Sequence, residues 1–299
     1  MEQISTDVLV VGGGTAGIMA ALAAAEEGAK VSIVERDSAL GGIGMRAGVH
    51  FYYYGTLGGL QNQIDQSTRM IQKKLGGLPK GFHPEAKRLV IEQQVKRLNI
   101  QVWHESIVSE LIMEGSRVCG AIVETMDGRI QIAAKITIDS TGTGDVAAMA
   151  GAAFTLGREW DDIQHNYSLV ARFIDEDNKL VYKNFDAGWV NSADVQDMSR
   201  AYRQARNFIW HGDGDPSQKH FTSIGPLLGV REGRAVIGEY VLKQDDLLLD
   251  VRFEDVIMRC YSHHDNHAYD YANESELSQE FIAVVGLRHL PFGADVPYR

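Results

Sequence analysis

Residues 7–36 read DVLVVGGGTAGIMAALAAAEEGAKVSIVER, a stretch made mostly of apolar, glycine and alanine residues. The apolar run from Asp7 to Val11 predicts a strand buried on both faces of a parallel sheet. A helical pattern follows at once, and residues 31–34 predict a second buried strand. The stretch therefore predicts a strand, helix, strand unit at the start of a parallel sheet.

Three glycines separate the first strand from the helix with the spacing G-x-G-x-x-G, namely Gly12, Gly14 and Gly17. The first permits a tight turn, the second lets a diphosphate approach the backbone, and the third lets the helix pack closely on the strand. N–H groups at the helix start, including those of Thr15 and Ala16, would then face the anion. This pattern predicts a dinucleotide-binding turn, and a plain βαβ unit without a ligand is the alternative.

Glu35 closes the second strand and Arg36 follows it. A carboxylate at this position can accept hydrogen bonds from the ribose hydroxyls of an adenosine. It would also repel a 2′-phosphate, which disfavours NADP. NAD and FAD both remain compatible with the pattern up to this point.

A glycine pair, Gly41 and Gly42, follows in ERDSALGGIGM. Such a pair would let the chain run close along the diphosphate and ribityl arm of a flavin. Residues 7–45 resemble the N-terminal signature of FAD-dependent oxidoreductases in the broad fumarate reductase and glutathione reductase superfamily. The resemblance implies that the cofactor is FAD and that both glycines contact it.

The middle of the chain predicts a helix from Pro84 to Leu98, a strand over 100–103 and three antiparallel strands joined by turns at 115–116 and 127–128. The meander leads into IDSTGTGDVAAMAGAAF, residues 138–154. That order is similar to the middle flavin segment of the same family, although Ser140 stands where alanine is usual. The resemblance implies that Thr141, Gly142 and Asp145 contact the cofactor, and a simple strand-to-helix turn is the alternative.

The resemblance implies an α/β fold with two domains. The first, residues 1–160, would be a Rossmann-like, doubly wound FAD-binding domain with a β-meander, and the second, residues 161–299, a mixed α/β substrate domain. Residues 220–248 resemble a segment of a loosely characterised bacterial branch of the family. In that family a segment like the final VPYR precedes a C-terminal FAD-binding segment, so we expect that segment to lie outside this chain. Either the chain is then a truncated product, or a homo-oligomer or a second chain completes the flavin pocket, or the pocket is left open.

Charge and cysteine content exclude several classes of function. The 299 residues contain 29 Lys and Arg against 40 Asp and Glu, a net charge of −11, which argues against a nucleic-acid partner. Cys119 and Cys260 do not form a C-x-x-C pair, so a dithiol redox centre is not expected. The sequence shows neither a signal-peptide pattern nor a membrane span, so we expect a cytoplasmic protein. We expect its partner to be a small-molecule substrate.

A flavin would perform the electron transfer, so the chain must supply orientation and proton transfer. The family resemblance would place His50 in AGVHFYYYG near the flavin ring, and it implies a general acid or, as in some fumarate reductase relatives, a site of covalent flavin attachment. Packing among the neighbouring aromatic residues is the alternative. In CYSHHDNHAYDY we predict that His267 donates or accepts a proton and that Asp265 fixes its tautomer, and a surface loop without a role in the reaction is the alternative. His263 and His267 have the spacing of zinc ligands, but no third ligand is evident and no metal is predicted.

Two arginines are further candidates. Arg231 in GVREGR is predicted to clamp a substrate carboxylate in bidentate fashion, and pairing with Glu232 or Glu239 is the alternative. Arg46 stands where relatives carry a small residue, and it would either narrow the flavin-ring site or contact the diphosphate.

The sequence therefore predicts an FAD-dependent oxidoreductase that transfers a hydride between a small organic substrate and flavin N5. One alternative is a catalytically inactive flavoprotein fragment that serves as a binding or assembly module. A flavin-assisted lyase or isomerase is another.

Overall fold

The computed structural model describes residues 2–51, 58–75, 81–159, 161–211, 220–230, 232–243, 245–246, 249–263 and 291–297. A six-stranded sheet in the order β3-β2-β1-β6-β5-β4 forms the first half of the fold. Its strands are β1 Glu2–Val11, β2 Val31–Val34, β3 Gln101–Trp103, β4 Ile107–Glu114, β5 Arg117–Thr125 and β6 Gly128–Asp139. The first three and β6 run parallel, while β4, β5 and β6 form the predicted antiparallel meander.

Strand β1 lies at the centre of the parallel part. Val10 pairs with Ile33 on one side and with Ile138 on the other. The carboxyl ends of β1, β2 and β6 therefore meet at one edge of the sheet, which is the edge where ligands bind in open α/β folds.

Helices pack on one face of the parallel strands, and side chains of the meander strands contribute to the buried cluster on the opposite face. The helices are α1 Thr15–Glu26, α2 Ile43–Arg46, α3 Gly59–Leu75 and α4 Pro84–Arg97. Val10 and Ile33 pack with α1, α3 and α4 in one buried cluster. Leu9 and Val11 point to the opposite face because side chains alternate along a strand, and there they pack with Val123 and Ile132 of the meander. This arrangement confirms the predicted α/β fold class.

The second half contains an antiparallel sheet and a helix. Strands β8 Gln164–Ile174, β9 Leu180–Val190, β10 His220–Ile224 and β11 Gly229–Val230 form the sheet, and α6 Val195–His211 packs on β9. Ala201 and Ala205 of the helix bury Phe185 and Val190 of that strand. The small side chains of α6 let the helix approach the sheet closely.

Short elements connect the two halves. Helix α5 Asp145–Met149 follows β6, and β7 Phe154–Thr155 pairs with β12 Ala235–Val236. Strands β13 Val256–His263 and β14 Pro291–Pro297 pair with each other. The domain boundary at residue 160 stays a prediction, since β7 before it pairs with β12 after it. No helix in the described ranges has the length and apolar character needed to cross a membrane.

A buried lysine lies between α3 and α4. The Lys87 side chain is 3% exposed, and its Nζ lies 3.4 Å from Asp65 Oδ1 and 4.1 Å from the centroid of the Phe82 ring. Burial lowers the pKa of Lys87 to about 8 and raises the pKa of Asp65. The fold therefore contains an ammonium group that is more easily deprotonated in the folded chain than in the unfolded chain.

The lowered pKa of Lys87 predicts that the free energy of unfolding rises with pH in the alkaline range. The folded-state pKa is lowered to about 8 from the ordinary value of 10.5, so the unfolded chain binds more protons between those values and the free energy of unfolding rises with pH there. Replacing Lys87 with methionine removes this term. Between pH 7 and pH 10 we expect the stability of Lys87→Met to fall relative to the parent by on the order of 2 kcal/mol.

Urea unfolding at the two pH values measures this difference. Lys73→Met, which removes an exposed lysine of α3, is the control and should differ from the parent equally at both pH values. A stability difference for Lys87→Met that does not change with pH would contradict the prediction.

Candidate cofactor site

A cavity of about 560 Å³ opens at the edge of the sheet where β1, β2 and β6 end. Its wall combines three segments that are far apart in the sequence: the turn after β1, the end of β2 and the turn after β6. Most of the predicted cofactor residues lie in this wall, namely Gly12, Gly14, Thr15, Ala16, Glu35, Arg36, Gly42, Thr141, Gly142 and Asp145.

The turn after β1 requires glycine at two positions for steric reasons. Gly12 has φ +96°, and a Cβ there would lie 2.3 Å from the Ser140 carbonyl oxygen. A Cβ at Gly17 would lie 1.9 Å from the Gly12 carbonyl oxygen. Gly17 packs behind the turn and is absent from the described cavity wall. These two glycines therefore shape the turn, and Gly14 is the one with open space on the cavity side.

Helix α1 begins at this turn with an N-terminus that no side chain caps. Gly14 is the N-cap residue, with φ −72° and ψ −171°, and the first turn of the helix has no acidic residue. Thr15 and Ala16 both line the cavity. The first N–H groups of a helix have no partner within the helix, and they carry its positive dipole end. The cavity wall therefore presents a site suited to an anion.

Glu35 lies in the same wall and is only 5% exposed. Its Oε2 accepts the Gly13 N–H at 2.7 Å, and its Oε1 accepts the Asp37 N–H at 2.8 Å. The carboxylate thus ties the end of β2 to the turn after β1, a role that the sequence analysis did not anticipate. Each carboxylate oxygen has a second lone pair, so a ribose hydroxyl remains a possible further donor.

The predicted glycine pair contacts the first turn. The Gly41 N–H donates to the Gly13 carbonyl oxygen at 2.8 Å, and Gly41 has φ +108°. A Cβ at Gly42 would lie 2.9 Å from Gly14 Cα. Gly42 lines the cavity, whereas Gly41 holds the two turns together from outside the described wall.

Asp139 organises the turn after β6, and the sequence analysis missed it. Its Oδ1 accepts hydrogen bonds from the Thr141 N–H at 3.0 Å and the Thr141 hydroxyl at 2.8 Å, while its Oδ2 accepts the Ala147 N–H at 2.9 Å. The Thr141 hydroxyl in turn accepts the Asp145 N–H at 2.9 Å. A carboxylate placed directly between a buried strand and a glycine-rich turn was the available signal for this role.

Arg234 fixes the same turn from the second half of the chain. Its Nη1 donates to the Thr143 carbonyl oxygen at 2.9 Å and to the Asp145 carboxylate. Asp145, predicted to contact the cofactor, therefore already has an ionic partner, although it still lines the cavity. Arg231, the predicted substrate clamp, lies outside the described residues.

The wall also contains residues that were not predicted as cofactor contacts, among them Asp37, Ser106, Ser140, Gln164, Ser192 and Leu228. The Ser106 N–H donates to the Glu35 carbonyl oxygen at 3.0 Å, which places the start of β4 beside the end of β2. Ser106 follows β3, and the carboxyl ends of parallel strands share one edge of a sheet. Its position in the sequence could therefore have predicted its place in the wall. Gln164, Ser192 and Leu228 arrive from the second half and carried no such signal.

The predicted reaction residues are only partly within the described chain. His267 and Asp265 lie outside it, and His263 ends β13. His50 stacks on Tyr182 with ring centroids 3.9 Å apart and is absent from the described cavity wall. The His50 Nδ1 lies 3.1 Å from the Gly48 carbonyl oxygen, and burial lowers its pKa. Arg46 Nη2 lies 3.4 Å from Asp37 Oδ1, so Arg46 pairs with an acid of the cavity wall.

Comparison with known proteins gives the family. A family model described as FAD dependent oxidoreductase matches residues 7–210 and 175–299. Thiamine thiazole synthase of Methanococcus vannielii is 27% identical over 173 residues, which cover 54% of this chain and 64% of that protein. The chain thus spans less than two thirds of this curated relative.

Solved structures also align with much of the chain. The p-nitrophenol 4-monooxygenase PnpA from Pseudomonas putida aligns with a TM-score of 0.49 and 14% identity, covering 79% of this chain and 69% of its own. A geranylgeranyl bacteriochlorophyll reductase-like protein from Thermoplasma acidophilum aligns with a TM-score of 0.49 and 17% identity, covering 78% of this chain and 67% of its own.

The family match covers both predicted flavin segments, and it confirms the predicted family and its cofactor. The chain belongs to the FAD dependent oxidoreductase family, a family of enzymes that use FAD.

Proposed function

We propose that this protein transfers a hydride between a small organic substrate and N5 of FAD, and that FAD binds in the cavity where β1, β2 and β6 end. The observation that carries the proposal is the meeting of the two glycine turns, Glu35 and the turn after β6 in one cavity wall. A volume of about 560 Å³ is within the ordinary range of small-molecule sites.

The residues of the wall fit a dinucleotide in shape. A Cβ at Gly142 would meet no atom within 4 Å, and a Cβ at Gly14 would meet its nearest atom, Gly42 Cα, at 4.0 Å. Contacts within the chain therefore do not exclude a side chain at either position, although the φ of +77° at Gly142 favours glycine there. The absence of side chains leaves backbone surface open toward the cavity, as close approach of a diphosphate demands.

The chemical groups of the wall fit as well. The uncapped N-terminus of α1 would hold the diphosphate through the N–H groups of Thr15 and Ala16. Glu35 would accept from the adenosine ribose through lone pairs that the Gly13 and Asp37 amides leave free. When bound, FAD supplies a two-electron acceptor.

The chain must supply the proton-transfer and substrate-binding groups. We propose His267 as proton donor or acceptor, with Asp265 fixing its tautomer, and Arg231 as a contact of the substrate. His50 stays a candidate for general acid chemistry, although its stacking on Tyr182 and its position away from the described wall favour a packing or substrate-positioning role.

Visible absorption spectroscopy of the purified protein tests the proposal. We expect the bands of oxidised flavin, bleaching by dithionite, and recovery of the bands when flavin-depleted protein is mixed with FAD. Bleaching by an organic substrate in the absence of oxygen would distinguish hydride transfer from lyase or isomerase chemistry. A colourless protein that fails to bind added FAD would contradict the proposal and favour a binding or assembly module.

A further inference from the structure

A second polar cluster lies beyond the cavity wall, between the two halves of the chain. Arg172 on β8 and Tyr182 on β9 are direct cross-strand partners, and the Arg172 Cζ lies 5.6 Å from the centroid of the Tyr182 ring. The His50 ring stacks on the Tyr182 ring, with the two ring centroids 3.9 Å apart. With His83, whose pKa Arg172 also influences, these residues form what we name the Arg172 cluster.

Two polar atoms of the cluster are buried without a partner in the described structure. They are the Tyr182 hydroxyl and the Arg172 Nε. Nearly all buried polar groups in folded proteins have hydrogen-bond partners, and an unsatisfied one costs about 1–3 kcal/mol. Two such atoms on adjacent strands indicate that an acceptor from outside the described residues completes the cluster.

The cluster also has a positive charge that no acid of the described residues neutralises. Arg172 has no carboxylate within ion-pair distance there. Glu85, the acid whose field acts on His83 and Tyr182, pairs instead with Arg88, whose Nη2 lies 3.3 Å from Glu85 Oε2. The unmatched guanidinium therefore favours an anion as the missing acceptor.

The neighbouring groups are uncharged in their ordinary states, and His50 donates from Nδ1 to the Gly48 carbonyl oxygen, which leaves its Nε2 an acceptor. Burial lowers the pKa of His50 and of His83, so both rings are neutral near pH 7. His83 Nδ1 accepts the Glu85 N–H at 3.2 Å, so the proton of its neutral ring is on Nε2. Burial raises the pKa of the Tyr182 hydroxyl, which therefore keeps its proton.

The cluster adjoins the wall of the proposed FAD cavity. The Ala47 N–H donates to the Ile43 carbonyl oxygen at 3.0 Å, and Ile43 lines the cavity. The same turn continues to Gly48, where a Cβ would lie 3.7 Å from Arg172 Nη2. A small molecule held by Arg172 would thus lie beside the segment that leads from the cavity wall to Gly48.

We propose that the Arg172 cluster binds the carboxylate of the enzyme's substrate, with Arg172 as the charged contact and Tyr182 as a neutral donor. This inference rests on the proposed function and narrows its substrate to small carboxylic acids. A guanidinium matches a planar carboxylate through two parallel hydrogen bonds. One positive charge beside neutral histidines suits a singly charged carboxylate better than a phosphate dianion.

Thermal unfolding of the purified protein, as isolated and after addition of FAD, tests this site. The probes are the sodium salts of formate, acetate, oxalate and succinate, compared with sodium chloride at equal ionic strength and with the neutral acetamide and succinamide. Inorganic phosphate is tested separately. We expect at least one carboxylate to raise the unfolding midpoint in a saturable way, and the amides to leave it unchanged.

Two variants assign the effect to the cluster. Arg172→Met is expected to weaken the apparent affinity for the stabilising carboxylate at least tenfold, while Arg97→Met, which removes an exposed arginine of α4, leaves it unchanged. Tyr182→Phe keeps the ring that stacks on His50 and removes only the buried hydroxyl. Tyr182→Phe should fold at least as stably as the parent, and a carboxylate should still raise its unfolding midpoint less. This variant therefore tests the site even if Arg172→Met fails to fold.

Three outcomes would overturn the inference: no stabilisation by any of the carboxylates, equal stabilisation of Arg172→Met and the parent, or stabilisation by phosphate alone. Flavin absorbance is read in the same samples. Protein that binds FAD but no carboxylate contradicts only this inference, whereas carboxylate binding through Arg172 without FAD binding contradicts only the proposed function.

Discussion

Replacing Gly17 with alanine is expected to lower the free energy of unfolding by about 3 kcal/mol. The added methyl carbon would lie 1.9 Å from the Gly12 carbonyl oxygen, a backbone atom that cannot rotate away. Removing this steric overlap requires α1 to move away from β1. That movement opens the buried cluster that contains Ile18, Ala21 and Leu22. Urea unfolding followed by circular dichroism measures the loss.

Gly14→Ala is the matched control for this stability effect. Gly14 has φ −72°, which alanine adopts without strain, and its Cβ would meet no atom closer than 4.0 Å. Loss of the glycine N-cap should change stability by about 1 kcal/mol at most. A Gly17→Ala variant as stable as Gly14→Ala would contradict the close packing of α1 on the turn.

Gly14→Ala is expected to have its main effect on the cofactor, with at least tenfold weaker binding of FAD. The added methyl group would stand in the cavity wall beside the uncapped start of α1, where we propose that the diphosphate binds. It would keep the anion from the helical N–H groups, and hydrogen bonds to charged groups are among the stronger ones in proteins. Titration of flavin-depleted protein with FAD, followed by flavin fluorescence, measures the affinity.

Gly28→Ala is the control at the opposite end of the same helix. Gly28 has φ +86°, so alanine there carries a backbone cost, but a Cβ would meet no atom within 4 Å and Gly28 is absent from the described cavity wall. We expect FAD affinity to stay at the parent value. Equal FAD affinity of Gly14→Ala and the parent would show that the diphosphate binds elsewhere.

Short-range patterns were sufficient to predict the parallel core. Residues 7–36 carry the strand, glycine turn, helix and second strand in one continuous stretch, and each of these elements appears in the structure. Turn residues at 115–116 and near 127 likewise marked the meander. The packing of that meander across one face of the parallel strands was not predictable, because it depends on contacts between Leu9, Val11 and residues more than a hundred positions later.

The site was predictable where it is built from local turns and not where distant elements meet. The ring partner of His50 is Tyr182 on β9, whereas the sequence offered only the adjacent aromatic residues as partners. Arg234 reaches Asp145 from a segment in which the sequence drew attention to Arg231. Both contacts depend on how the second half of the chain packs against the first, for which neither periodicity nor spacing carries a signal.

An experimental structure of the protein with FAD bound measures the location of the dinucleotide and so tests the central claim most directly. We expect the diphosphate within hydrogen-bond distance of the N–H groups of Thr15 and Ala16, and the adenosine ribose beside Glu35. A dinucleotide bound away from the ends of β1, β2 and β6 would contradict the claim.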